Sequence, residues 1–290
     1  MPGSAKDADG YWYGDYFGVL AFEVNADLVT KLPRDWRDLL APQYKGAVAL
    51  AGELTSNQAI LAVFAAGLSA TDGRVDGAAE KGMAFFAELN RRGNFDSYFG
   101  DSVSLADGRT PVLIRWDYLG LSDRDRFKGK HRVEVVRPRS GSVAGVYVQA
   151  ISAFAPHPNA ARLWMEHLYS DKVQLALLES HCSPIRLASL LRDGKVPVGM
   201  REQLPLADDD GSNADPVFPT IEEQERAREI IIRGWGGIVG VTVMCYPEES
   251  LPGPMSGMEQ VSPRPAGLLQ SPMPGTVPQP GVSSDPPLAR

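Results

Sequence analysis

Short apolar runs alternate with helical stretches through the first 140 residues, and this alternation limits the fold more than any single motif does. Val19 to Val24 is a continuous apolar run that ends in an Asn-containing turn, the pattern of a buried strand. Pro33 and Pro42 then bracket a short helix with Trp36, Leu39 and Leu40 as its inner stripe. "GAVALAG" at 46–52 reads as a second strand. Thr55 and Gln58 stand at capping-box spacing in front of a strongly apolar helix that Gly67 is expected to stop. Ala79, Met83, Phe86 and Leu89 line one face of the next helix, which ends in basic residues and Gly93. Val112, Leu113 and Ile114 after Pro111 make a further buried strand, and "HRVEVVRP" an alternating one. Strand, helix, strand, two helices and two strands in that order predict an α/β layer with a largely parallel sheet.

The second half keeps this grammar for another hundred residues. Val143 to Pro156 is a long β-rich run, one or two helices start at Asn159, and a charged loop, "LPLADDDGSNADP", precedes the helix "TIEEQERAREIIIRGW". Residues 246–290 then hold eleven prolines and five glycines with no hydrophobic period, which predicts a disordered tail.

Composition removes several function classes. A length of 290 residues allows one to two domains. With 29 basic against 36 acidic residues the net charge is -7, and no basic run offers nucleic acid or an anionic membrane a surface. Cys182 and Cys245 are too few for a disulfide framework or a cysteine metal site, and whether they pair stays open. "MPGSAKDADGYWYGDY" lacks the basic start and apolar core of an export signal, and no apolar run reaches transmembrane length. No nucleophile elbow, phosphate loop, dinucleotide fingerprint or spaced carboxylate pair marks an enzyme, and no cofactor is called for.

Three groups remain as candidate binding residues. Thr55, Ser56 and Asn57 open a helix, where unpaired amides and a partial positive charge suit an anionic or carbonyl group; simple capping explains them as well. Trp116, Asp117 and Tyr118 follow a buried strand, at the sheet end where α/β proteins bind ligands. They fit a cation held by ring stacking and charge, an oxygen-loving metal on Asp117 and Tyr118, or core packing with Asp117 capping a turn. Tyr147 and Gln149 share one face of the long β run, as partly exposed sheet positions also do. The four histidines lie in unrelated segments without i, i+4 pairing and read as surface or satisfied residues.

Two segments resemble a known family. "GVLAFEVNADLVTKLPRDWRDLLAPQYKGAVAL" is similar to the entry into the second lobe of extracellular solute-binding proteins of ABC importers, and "VYVQAISAFAPHPNAARLWMEHLYSD" to their return crossover. The likeness runs from about Tyr11 to Thr242 and is nearest the Fe(III)- and polyamine-binding group. It implies a periplasmic-binding-protein type II fold of two α/β lobes joined by crossover strands, a small solute in the cleft and a membrane permease as partner. It also implies a monomer without nucleic acid, in the periplasm or outside the cell. By position Trp116 matches an aromatic cleft residue of polyamine receptors, and Asp117 and Tyr118 the tyrosine pair of iron receptors. Ser56 and Asn57 match helix-start contacts, while Tyr147 and Gln149 fall where polyamine receptors place an aromatic and an acid. Gln149 for an acid and Asp117 for a tyrosine are departures that leave the solute open.

The family's earlier first-lobe units precede the equivalent of Tyr11, so the first lobe is expected to be incomplete. The expected parts are then a first-lobe remnant with crossover strand (1–25), the second lobe (26–142), the return crossover with first-lobe C-terminal helices (143–245) and the tail (246–290). The apolar faces of the 159–180 and 221–233 helices are expected to lack their sheet. Two rivals are an interaction or sensor protein using polyproline segments such as "PMPGTVPQP", and, third, an enzyme using one Asp and one Tyr.

Overall fold

The computed structural model describes residues 5–201 and 216–246. The expected disorder from Pro247 onward and most of the charged loop before the last helix therefore lie outside the described residues. One long strand, β1 (Trp12–Asn25), organises the described part. Its first half pairs antiparallel with β5 (Ala144–Ala150) and with the short β6 (Ser183–Pro184); its second half pairs antiparallel with β3 (Val112–Trp116) and β4 (Val133–Val136). β2 (Val48–Leu50) joins the edge of β3 in parallel.

The sheet is thus mostly antiparallel, which corrects the parallel sheet expected from the element order. The helical connections do keep β2, β3 and β4 running the same way. β1, however, inserts between β3 and β4 in the opposite sense, in the order β2-β3-β1-β4. A strand that arrives from outside the repeating strand–helix unit is not bound by that unit's handedness.

Helix α1 (Asn57–Ala70) is the centre of the core, with every residue from Ala59 to Leu68 buried. Gly67 does not stop it. A Cβ there would lie 1.7 Å from the Ala78 carbonyl oxygen of α2 (Ala78–Arg91), and one on Gly82 of α2 would lie 1.9 Å from the Val63 carbonyl oxygen. The two glycines let the helices touch backbone to backbone. The cap is also one residue later than expected: Ser56 accepts the Ala59 N–H at 3.2 Å, while Thr55 donates to Glu53 at 3.3 Å. The segment around Trp36 forms a 3-10 turn (Trp36–Leu40), and Trp36 packs edge-on to Phe22 in the core.

Beyond α3 (Ser102–Ala106), β3 leads straight into α4 (Asp117–Arg126). After β5, which stops at Ala150 rather than continuing to Pro156, come α5 (Pro158–Leu168), α6 (Asp171–Glu179), α7 (Leu187–Arg192), α8 (Val198–Arg201) and α9 (Ile221–Ile238). Rather than lying on a sheet, α9 buries Ala227, Ile231 and Trp235 against α1 and α2 in the main core, with Trp235 5.5 Å from the Phe86 ring. α5 keeps an open apolar face, with Leu163 and Trp164 exposed. Tyr246, the last described residue, donates to Asp96 at 2.6 Å and stacks on Tyr98.

Candidate functional site

The site is built where the two crossover strands meet the turn from β3 into α4. Gly18 of β1 and Gly145 of β5 are direct cross-strand partners. A Cβ on Gly18 would come within 2.8 Å of the Tyr118 ring, and one on Gly145 within 2.4 Å of the Trp116 ring. The glycine pair is a flat seat, and Trp116 and Tyr118 are pressed into its two halves. Between them Asp117 pins the turn from below. Its carboxylate accepts the Val19 N–H at 2.9 Å and the Tyr118 N–H at 2.8 Å, and forms a two-point ion pair with Arg137. The Trp116 N–H donates to Gln58 at 3.0 Å, and the Gln58 amide donates to the Ala51 carbonyl, which ties the turn to the first helical turn of α1.

Above this seat three tyrosines converge. Tyr16 stacks on its strand partner Tyr147 with ring centroids 4.6 Å apart, and Tyr118 meets Tyr16 edge-on at 6.0 Å. The Tyr118 hydroxyl donates to that of Tyr147 at 2.9 Å. Burial pushes the Tyr16 phenol up to about 12, helped by Tyr147, Cys182 and Asp15, and burial with the bond to Tyr147 raises that of Tyr118. Burial, then Asp117 and Asp15, also pushes the Cys182 thiol beside the cluster up to about 12. Both cysteines are free thiols.

A β-bulge between Gly14 and Tyr16 turns Asp15 inward, where the amides of Gln149 and Gln174 donate to it at 3.3 Å. Burial raises the Asp15 carboxyl, and the two amides partly oppose the rise. Gln149 therefore serves a carboxylate on the paired strand.

Of the residues singled out from sequence, Trp116, Asp117, Tyr118, Tyr147 and Gln149 come together here. Trp116 and Asp117 are buried, and only Tyr118, Tyr147 and Gln149 reach the surface of the group. Ser56 and Asn57 stand apart: Ser56 caps α1, and Asn57 donates to Gln224 of α9 at 3.3 Å. Tyr16, Asp15 and Arg137 were not foreseen. Tyr16 had a signal, since Tyr16 and Gly18 fall two positions apart on one strand face. Arg137 had none, being 20 residues from its partner Asp117. Among the described residues no group of three or more His, Cys, Asp or Glu side chains can hold a metal ion. His181 is satisfied by Asp125 at 2.8 Å.

The fold and this crossover geometry agree with known proteins. The model of the family described as bacterial extracellular solute-binding protein matches residues 2–198, so the chain belongs to that family, whose members serve ABC importers. Among solved structures, an ABC transporter from Clostridium perfringens is 17% identical with a TM-score of 0.59, covering 82% of this chain and 73% of its own. Ferric ion-binding protein A from Pasteurella haemolytica is 20% identical at a TM-score of 0.55, covering 80% and 72%. The periplasmic binding protein AfuA from Actinobacillus pleuropneumoniae, with fructose-6-phosphate bound, is 18% identical at 0.55, covering 80% and 69%. These likenesses establish the periplasmic-binding-protein fold. No curated protein matches the chain. Among the described residues no helix is long and apolar enough to cross a membrane.

Proposed function

We propose that the chain is the receptor that captures a small polar solute for an ABC permease, and that the solute sits against Tyr16, Tyr118, Tyr147 and Gln149. The observation that carries this reading is the tyrosine cluster spanning both crossover strands and the start of α4, because a group shared by the hinge strands and a lobe is placed to feel lobe closure. It works without chemistry, as a monomer and without nucleic acid, outside the cytoplasm, with lobe boundaries near residues 25 and 142. Ser56 and Asn57 contribute to the same cleft only through the helix start they occupy. The ferric-binding neighbours bring Fe(III) forward as one candidate, for which the sequence offers Asp117 and Tyr118 as oxygen donors, and a polyamine is the other.

The test is a thermal-shift screen of the full chain against small metabolites and metal chelates, repeated with Tyr118→Phe and Tyr147→Phe. At least one solute is expected to raise the melting temperature of the parent chain and not of the variants. A solute that stabilises all three equally binds elsewhere, and the site assignment then fails.

A further inference from the structure

We infer that the solute held at the tyrosine cluster is uncharged and hydroxyl-bearing. This rests on the reading of the cluster as the solute site and specifies its chemistry. The inference begins with where each charge near the tyrosines goes. Asp117 is buried, takes both of its hydrogen-bonding directions from within the protein, and neutralises Arg137 through two guanidinium nitrogens. Asp15 is 4% exposed and lies between the amides of Gln149 and Gln174. Neither carboxylate faces a ligand, and the guanidinium of Arg137 is already paired.

The phenols are neutral donors and acceptors in this arrangement. Tyr118 uses its proton on Tyr147, and burial holds both Tyr16 and Tyr118 above the ordinary phenol range. Fe(III) requires several anionic oxygens and would release the phenol protons on binding, but the carboxylates that would complete its shell are engaged, Asp117 by Arg137 and Asp15 by Gln149 and Gln174. A polyamine requires a carboxylate for each ammonium, and a ring face alone holds a cation only weakly at an exposed site. An anion would have to sit against three tyrosine rings, and Arg137, the cation beside Asp117, is already paired. An unpaired charge brought against such a wall carries a large desolvation cost.

What the cluster does offer is suited to hydroxyl groups. Tyr147 is 37% exposed, and its hydroxyl, which accepts from Tyr118, has its own proton left to donate. Gln149 presents an amide oxygen that has no partner among the described residues. Stacked rings beside a donor and an acceptor match a small ring that carries alcohols on its rim and C–H bonds on its face.

The deciding experiment measures binding of the full chain to matched probes by calorimetry and thermal shift: neutral hexoses, pentoses and nucleosides on one side; ferric citrate, spermidine and fructose 6-phosphate on the other. Tyr147→Phe, at an exposed position, serves as the site variant. The expected result is saturable binding of at least one neutral probe, weakened at least tenfold in Tyr147→Phe, and no visible tyrosinate-to-iron absorption band with ferric citrate. Saturable binding of iron, spermidine or the phosphate ester that Tyr147→Phe weakens overturns the charge assignment while leaving the receptor reading intact. Silence with every probe overturns the assignment together with the cluster as a solute site.

Discussion

Two helices, α1 and α5, have opposite fates. In α1 every residue from Ala59 to Leu68 is buried, whereas in α5 only Leu168 is, and Leu163 and Trp164 stand 72% and 47% exposed. Part of the difference is in the helices themselves, since α1 is apolar on nearly every side and α5 on one, and part is in their neighbours. α5 has the clearer apolar stripe, but α1 lies between a sheet and two other helices, while α5 touches mainly its neighbour α6. A helix's inner face is written in its own sequence; its burial depends on which other elements the chain supplies. Trp235 and Trp164 carry the same contrast into single residues, one filling the core beside Phe86 and the other open.

The largest test of this contrast is therefore a truncation in α9. Trp235→Ala should cost about 3–5 kcal/mol because the core cannot close over the vacated volume, measured as a fall in the denaturant midpoint. If it costs no more than a surface substitution, α9 does not pack as described. Next comes the glycine seat: Gly145→Ala puts a methyl into the Trp116 ring and should destabilise by about 1–3 kcal/mol, with a change in tryptophan emission that the same substitution at the open Gly199 does not cause.

A third test concerns a buried network behind the site. Glu23 and Asp123 share the Arg115 guanidinium at 3.0 Å each, and Ser102 donates to Asp123. Glu23 is 1% exposed, and one of its carboxylate oxygens has no partner among the described residues. Burial pushes the Glu23 carboxyl up, with Arg115 pulling it back and Asp123 adding to the rise. A carboxyl raised on folding favours the folded state when protonated, so its contribution is full below the ordinary Glu range and is lost as pH climbs toward the folded value. Glu23→Gln keeps the shape without the charge. It should gain about 1–2 kcal/mol on the parent at about pH 8 and flatten the decline from about pH 5; an unchanged pH profile of the melting temperature would argue against a strained Glu23. The smallest effect belongs to α5, where Trp164→Ser should move stability by no more than about 0.5 kcal/mol.

Much of this fold was legible from the order of apolar runs, because periodicity reports burial locally. What it missed is what depends on distant partners. The antiparallel insertion of β1 follows from pairing between Leu20 and Trp116, 96 positions apart, which no local pattern encodes. Gly67 read as a stop because a glycine near a helix end usually is one; its partner Ala78 only becomes visible once α1 and α2 lie together. Of the site, the Trp116–Tyr118 turn was legible from its place after a buried strand, and Tyr147 with Gln149 from their alternation. Asp15 and Arg137 were not, since a bulge and a long-range ion pair position them.

On the proposed reading the phenols of Tyr118 and Tyr147 hold the solute. The decisive measurement is the binding isotherm of the solute that stabilises the parent chain most, on the parent and on Tyr118→Phe/Tyr147→Phe. A Kd at least tenfold weaker is expected in the double variant, equivalent to about 1.4 kcal/mol or more, with the same melting temperature as the parent when solute is absent. An equal Kd in the two proteins would contradict it.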